Sequence, residues 1–208
     1  GGPAGPAGAA GTAGANGTNG TDGTNGTNGA QGTAGANGVN AESPARVIWV
    51  ADDGTGDYPS LSTALTAIDG STLPAATAAE PYVIKIAPGT YTETEPVALK
   101  TYVDVEGSGQ NTTTINCACS TGNVAVISAT TITAEIRHLT INNTGGALLA
   151  FGVYTNGVAD GSFSMLHVTA TATDGQFNNH GVSNRSSSSP TMNNVTATAT
   201  GGADDNYG

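Results

Sequence analysis

Glu93 and Glu95 stand two residues apart in TYTETEPV, so on an extended strand their carboxylates share a face. Two carboxyl groups on one face are the minimum for glycosidase-type acid–base work. Acids this close on an exposed strand are more simply solvated, and that is the expectation here. Asp52, Asp53 and Asp57 in ADDGTGDYP offer oxygen donors that a hard cation such as Ca²⁺ could use. The simpler reading is a turn whose carboxylates cap backbone amides, and Asp204 and Asp205 near the end read the same way. Cys117 and Cys119 in NCAC face the same side of a strand. Three readings stay open for them: small buried residues, a disulfide within or between chains, or a metal or redox site. Whether a metal is bound is left unknown, and no cofactor is implied.

These residues need elements to position them. ARVIWVADDGTGDYPSLSTALTAIDG reads as a strand over 46–51, a turn, and a short helix capped by Ser60 and ended by Gly70. Leu61, Leu65 and Ile68 give that helix one apolar face. Short strands follow, separated by Gly, Pro and Asn: YVIKIAPGTY, VALKTYVDVEGSG, TTTINCAC, NVAVISATTIT and AEIRHLTINNT.

A repeat emerges towards the end. GVYTNGVADGSFSMLHVTATAT aligns with GVSNRSSSSPTMNNVTATAT, which sets Val168 against Val195, and an equal step back from Val168 reaches Ile141. A unit of about 27 residues of strand and turn is one coil of a parallel solenoid, each coil covering the apolar face of the last. Val168, Ala170 and Ala172 then point inward and Thr169, Thr171 and Thr173 outward, above Thr196, Thr198 and Thr200. Leu139 and Ile141 point inward too, and Asn143 falls at a corner where it can bond the turn backbone. His138, His167 and His180 do not match at this period, so no stacked metal or catalytic cluster is expected, and each reads as a single surface or groove histidine. Outward Thr rows occur in ice-binding solenoids, but solvent-facing Thr is also simply favoured in strands. The helix at 60–68 would cap the first coil, which otherwise exposes core and unpaired edge.

The opening segment has its own rule. From Gly2 to Gly38 glycine recurs at every third position, and Gly17, Gly20, Gly23, Gly26, Gly29, Gly32, Gly35 and Gly38 run without a miss. Collagen needs this period because only Gly fits at the crowded axis. Only Pro3 and Pro6 pre-set the polyproline II angle in the segment's repeats, so a triple helix here would be weak alone. A flexible linker and a bundle of polyproline II helices packed on their glycine faces are the alternatives. Extended, the segment would span about 120 Å. The expected division is a collagen-like stalk over 1–40 and a solenoid over 41–208, the latter truncated at its C-terminal end.

The net charge is −11 with five basic residues. A nucleic-acid footprint needs clustered Lys and Arg, which this chain lacks. An anionic membrane surface is disfavoured for the same reason. No run approaches 18 apolar residues, so no membrane span is expected. The chain begins inside a repeat, without a signal peptide, and reads as a processed or truncated product.

The stretch ADDGTGDYPSLSTALTAI, followed by PYVIKIAPGTYTETEPVALKTYVDVEGSGQNTTTI, resembles the pectin methylesterase-like group of right-handed parallel β-helix proteins. The matching elements are the A-D-G-x-G-D-Y/F turn, the capping helix, I-x-P-G-x-Y-x-E and L-x-x-x-V-x-x-x-G-x-G, over about residues 48–115. The resemblance implies an all-β right-handed parallel β-helix with an N-terminal capping helix. It would also imply two aspartates, an arginine and glutamines on parallel strands. The Q-A-V-A-L element would fall near GALLAFGVYT, which holds no Gln, and the Q-D-T element near DGQFNNHGVSN, where Gln176 precedes Phe and Asn. None of Arg46, Arg137 and Arg185 adjoins two acids in sequence.

The expectation is therefore a non-enzymatic, extracellular structural or adhesive protein of the cell surface. It would self-associate through its stalk as a homotrimer or fibre, with surface glycans as further partners. The alternatives are a polysaccharide-active enzyme of esterase or lyase type and a non-catalytic glycan-binding solenoid.

Overall fold

The computed structural model describes residues 1–24, 45–119, 123–146 and 148–208. Contacts divide the chain into two units, Gly1–Val39 and Asn40–Gly208. In the first, residues 1–24 contain neither helix nor strand and are exposed throughout. A Cβ added to Gly17, Gly20 or Gly23 would meet nothing within 4 Å among the described residues. Gly26, Gly29, Gly32, Gly35 and Gly38 lie outside the described residues.

The second unit is a right-handed parallel β-helix. β1 (Arg46–Val50) is followed by α1 (Leu61–Ala67), β2 (Tyr82–Ile86), β3 (Gly89–Glu93), β4 (Val97–Ala98), β5 (Val103–Gly107) and β6 (Thr113–Cys117). Then come β7 (Asn123–Thr130), β8 (Ala134–Asn143), β9 (Leu149–Asn156), β10 (Phe163–Thr173), β11 (Asn178–Arg185), β12 (Thr191–Thr200) and β13 (Asn206–Tyr207). They form an eight-stranded long sheet, ordered β1-β2-β5-β8-β10-β12 with β3 and β6 alongside, and a five-stranded short sheet, β13-β11-β9-β7-β4. Every strand pair is parallel.

Alternation makes the core. Leu139, Ile141, Val168, Ala170 and Ala172 are fully buried, while the threonines between them face out. Stacked rows such as Ile84–Val105–Ile136 fill the interior coil by coil. Val195 does pair with Val168, as the repeat requires. One coil earlier the step is longer: Val168 pairs with Leu139, and Ile141 pairs with Ala170 instead. Glu135 and its partner Ser164 show that step as a separation of 29. The coil before that is longer again, with Glu106 and its partner Arg137 separated by 31. Turns absorb the difference, so the inward row survives.

α1 forms where expected. Ser60 accepts from the Thr63 amide while the Thr63 hydroxyl accepts from the Ser60 amide, a reciprocal cap. Leu61, Ala64, Leu65 and Ala67 are buried, and the helix packs on β1, β2 and β4. Gly70, at φ +91°, takes the left-handed turn after the helix. At the opposite corner Asn143 is buried; its amide donates to the carbonyls of Val124 and Phe151, both at 3.0 Å, and accepts from Gly145. Asn179 repeats this closure with Gly175, and Asn206 with Gly202.

Candidate functional site

The short sheet carries the larger groove. One of its rows runs Ala125, Phe151, His180, Tyr207 in strict register; Ala125 and Phe151 are buried, His180 is half-buried and Tyr207 is exposed. Small residues on β7 meet large ones on β9, which leaves a hollow of about 790 Å³ over β7. Ala125 and Ser128 form its floor, Phe151 and Tyr154 its wall, and Arg185 and Ser186 its far side. Tyr154 has room to stand up because its register partners, Ser128 and Ser183, are small. Phe151 lies 5.5 Å from Tyr154 and 5.1 Å from His180, and His180 stacks on Tyr207 at 4.9 Å. Burial, and then the charge of Arg185, hold His180 below the ordinary histidine value. The accessible end of this aromatic row, His180 and Tyr207, can stack on a sugar ring, and the exposed Arg185 can pair with a carboxylate. Among the described residues lining the hollow there is no carboxylate.

The long sheet carries a second constellation, in its half before the positive-φ residues His138 and His167 that bend β8 and β10. Glu106 receives Lys85 Nζ at 3.0 Å and an Arg137 guanidinium nitrogen at 2.9 Å. Arg137 also pairs with Glu135 and approaches Asp104 at 4.0 Å. The Glu135 amide donates to Asp104 at 2.8 Å, and Ser164 donates to Glu135 at 2.7 Å. Burial opposes ionisation of Glu106 and Glu135, but the bonds from Lys85, Ser164 and Arg137 hold both below the ordinary glutamate value. Burial dominates at Asp104 and pushes its carboxyl up. Each of these acids is engaged by a neighbouring coil, so the cluster braces the stack. Sequence reading missed it because no arginine adjoins two acids along the chain. The signal was there: DVE at 104–106 and EIR at 135–137 both place polar groups outward, one coil apart.

The other candidates resolve individually. Glu93 is not a solvated surface acid. It is only 3% exposed, and its carboxylate accepts from the Leu61 amide at 2.9 Å, the Ser62 amide at 3.3 Å and the Ser62 hydroxyl. The first amides of a helix have no partner inside it, and Glu93 satisfies two of them. Glu95 stays exposed, so the two do not form a pair. Asp53 accepts from the amide and hydroxyl of Thr55, and Asp57 from the Trp49 amide, which makes both turn caps. Cys117 and Cys119 are disulfide-bonded to each other, with Cα atoms 5.2 Å apart and both side chains buried.

The histidine expectation needs correction. His138 and His167 do stack, at 5.1 Å. The coil between them is two residues longer than the repeat that follows, which brings them into register with Asn194 one coil on. All three sit at the bend of their strands with φ near +50° (56°, 52° and 51°). Their rings lie parallel, 16° apart, an arrangement that stacks rather than chelates.

A family model described as rhamnogalacturonase A/epimerase, pectate lyase-like, matches residues 49–207. No curated protein matches the chain. Similar solved structures include a pectin methylesterase from carrot, 20% identical, covering 66% of this chain and 49% of the carrot chain with a TM-score of 0.46. Pectin methylesterase PemA from Erwinia chrysanthemi is 17% identical, covering 65% of this chain and 49% of its own with a TM-score of 0.35. The chain spans about half the length of these structures. With the match extending over most of the sequence, from within β1 to the end of β13, the chain belongs to the rhamnogalacturonase A/epimerase, pectate lyase-like family.

Proposed function

We propose that the β-helix is an extracellular polysaccharide-binding module that takes an acidic glycan along the outer face of its short sheet. One observation carries the reading: the Phe151–His180–Tyr207 row with Tyr154 and Arg185 beside the hollow over β7. Sugar rings stack on the accessible His180 and Tyr207, which the buried Phe151 backs, and Arg185 supplies the charge for a uronate carboxylate. The reading is of binding without turnover, in keeping with the lack of a carboxylate among the described residues that line the hollow. Calorimetry of the full chain with oligogalacturonides tests it. Tyr207→Ala and Arg185→Ala should each weaken binding by roughly tenfold, the effect of about 1.4 kcal/mol. Failure of the parent chain to bind any acidic glycan refutes the proposal. Release of methanol or unsaturated sugar from pectin would replace it with an enzymatic one.

A second reading concerns residues 1–24. Their glycines present open Cβ positions with no partner among the described residues. A triple helix requires such a face. The segment serves as a self-association element of a surface fibre, raising the avidity of weak glycan sites. Solution mass tests it: a trimer that becomes a monomer on deleting residues 1–38 supports the reading, and a monomeric parent ends it.

A further inference from the structure

Beyond the bend, the long sheet has a face that neither reading uses. Thr90, Thr114, Thr140, Thr169 and Thr196 are consecutive register partners on β3, β6, β8, β10 and β12. Two residues further along each strand a second column follows: Thr92, Asn116, Asn142, Thr171 and Thr198. Thr173 and Thr200 begin a third. The residues between the columns, such as Tyr91, Ile115, Ile141 and Ala170, are buried, so the columns all face outward.

The result is a two-dimensional array of short polar groups. Its repeats are about 4.8 Å across strands and about 6.6 Å along them. Oxygen rows on the growing faces of ice repeat at similar distances. Thr is stiff at χ1, so its methyl and hydroxyl are held in one orientation before any contact is made. Such preorganisation lowers the ordering cost of binding. No member of the array is charged, although the chain carries −11 overall. The half of the same sheet before the bend holds Lys85, Asp104, Glu106, Glu135 and Arg137. A charge within the array would impose its own hydration shell on neighbouring water; none is there to do so.

Some members are already engaged. The Thr140 hydroxyl donates to the Gln110 carbonyl, the Thr173 hydroxyl to the Asn143 carbonyl at 3.3 Å, and the Asn142 amide to Asn116 at 3.2 Å. The uninterrupted block is therefore on β10 and β12: Thr169, Thr171, Thr196, Thr198 and Thr200. From this regular, uncharged, outward array we infer that the face binds ice, ordering lattice water along its threonine columns.

The test uses the full chain in a growing ice front. Faceted crystals, a gap between melting and freezing points, and adsorption of the labelled chain to a single ice crystal are the expected results. Thr171→Tyr and Thr198→Tyr should each raise the concentration that halts recrystallisation by roughly tenfold, equivalent to about 1.4 kcal/mol. Asp160→Tyr, exposed in the turn between β9 and β10, should leave it unchanged. Circular dichroism and melting report whether each variant folds; Thr171→Ser and Thr198→Ser, which only remove the methyl, serve where a Tyr variant does not, and should also weaken inhibition. Unfaceted growth by the parent overturns the inference, as does equal loss in Asp160→Tyr. Adsorption to crystalline cellulose or chitin in place of ice, or a dimer broken by the same substitutions, assigns the face to another partner and overturns it too.

Discussion

Glu93 gives the sharpest test of how the first coil is sealed. It is buried, and it accepts from two amides and a hydroxyl at the start of α1. In Glu93→Ala, the buried Leu61 amide, the Ser62 amide and the Ser62 hydroxyl all lose their acceptor. An unsatisfied buried donor costs about 1–3 kcal/mol, and bonds to charged groups lie at the upper end. Water can reach part of the Ser62 side, so a total of about 3 kcal/mol is the expectation for Glu93→Ala. Glu93→Gln keeps the shape and one oxygen acceptor and loses the charge, for about 1 kcal/mol. For a domain of this size 1 kcal/mol moves the melting point by about 2–4 °C. Calorimetric melting of the full chain should then show a drop of about 6–12 °C for Ala and about 2–4 °C for Gln. Glu93→Ala combined with Ser62→Ala should fall short of the sum of the single losses by about 1 kcal/mol, because the two share a bond. A melting point within about 1 °C of the parent for Glu93→Ala would refute the reasoning. Equal losses for Ala and Gln would refute it as well, since the effect would then belong to side-chain shape.

Reduction of the Cys117–Cys119 bond opens only a very short loop, so the entropic loss is about 1–2 kcal/mol, and melting with and without reductant should differ by about 2–8 °C. Gly145→Ala should be severe, because a Cβ there would collide with the Cys119 backbone; denaturant unfolding should show a loss of at least about 2 kcal/mol, and a neutral result would refute the close approach. Arg137→Met keeps the bulk but leaves Glu106 and Glu135 with one cation fewer; it should cost about 2 kcal/mol at neutral pH, and less as the pH falls through the lowered values of these two acids. Asp69 is held down to about 2 by the amides of Thr72 and Ser71 and by the Ser71 hydroxyl, so its contribution is intact above about pH 4 and disappears as pH falls through 2; Asp69→Asn should flatten acid unfolding in that window alone.

The parts of the fold legible in the sequence are those governed by neighbours along the chain. VTATAT declares its own inward and outward faces, and Ser60 with Thr63 starts α1 where the apolar spacing begins. What escaped depends on coil length. A fixed period taken from the last repeat puts His167 out of step with His138 and hides Arg137 from Glu106. The turns actually set spacings of 29 and 31 at those coils. The groove escaped for a related reason: Phe151, His180 and Tyr207 are unremarkable until stacking places them in one row. Glu93 was misjudged because its partner is a helix 31 residues earlier, and strand alternation alone says nothing about what sits against a face.

The parallel stacking has a mechanical consequence. Every hydrogen bond between coils points along the stacking direction, with β1 at one end of the long sheet and β12 at the other. Tension applied between those two strands loads the coils in series, and the interface between two neighbours carries the whole load. Stability in such a stack is a sum of nearest-neighbour terms. Under force, therefore, the chain should lengthen in discrete steps, one coil peeling at a time. The steps should be unequal, because the turns make the coils unequal: the shortest follows the parting of Lys85 from Glu106, a separation of 21, and the longest that of Arg46 from Tyr82, a separation of 36.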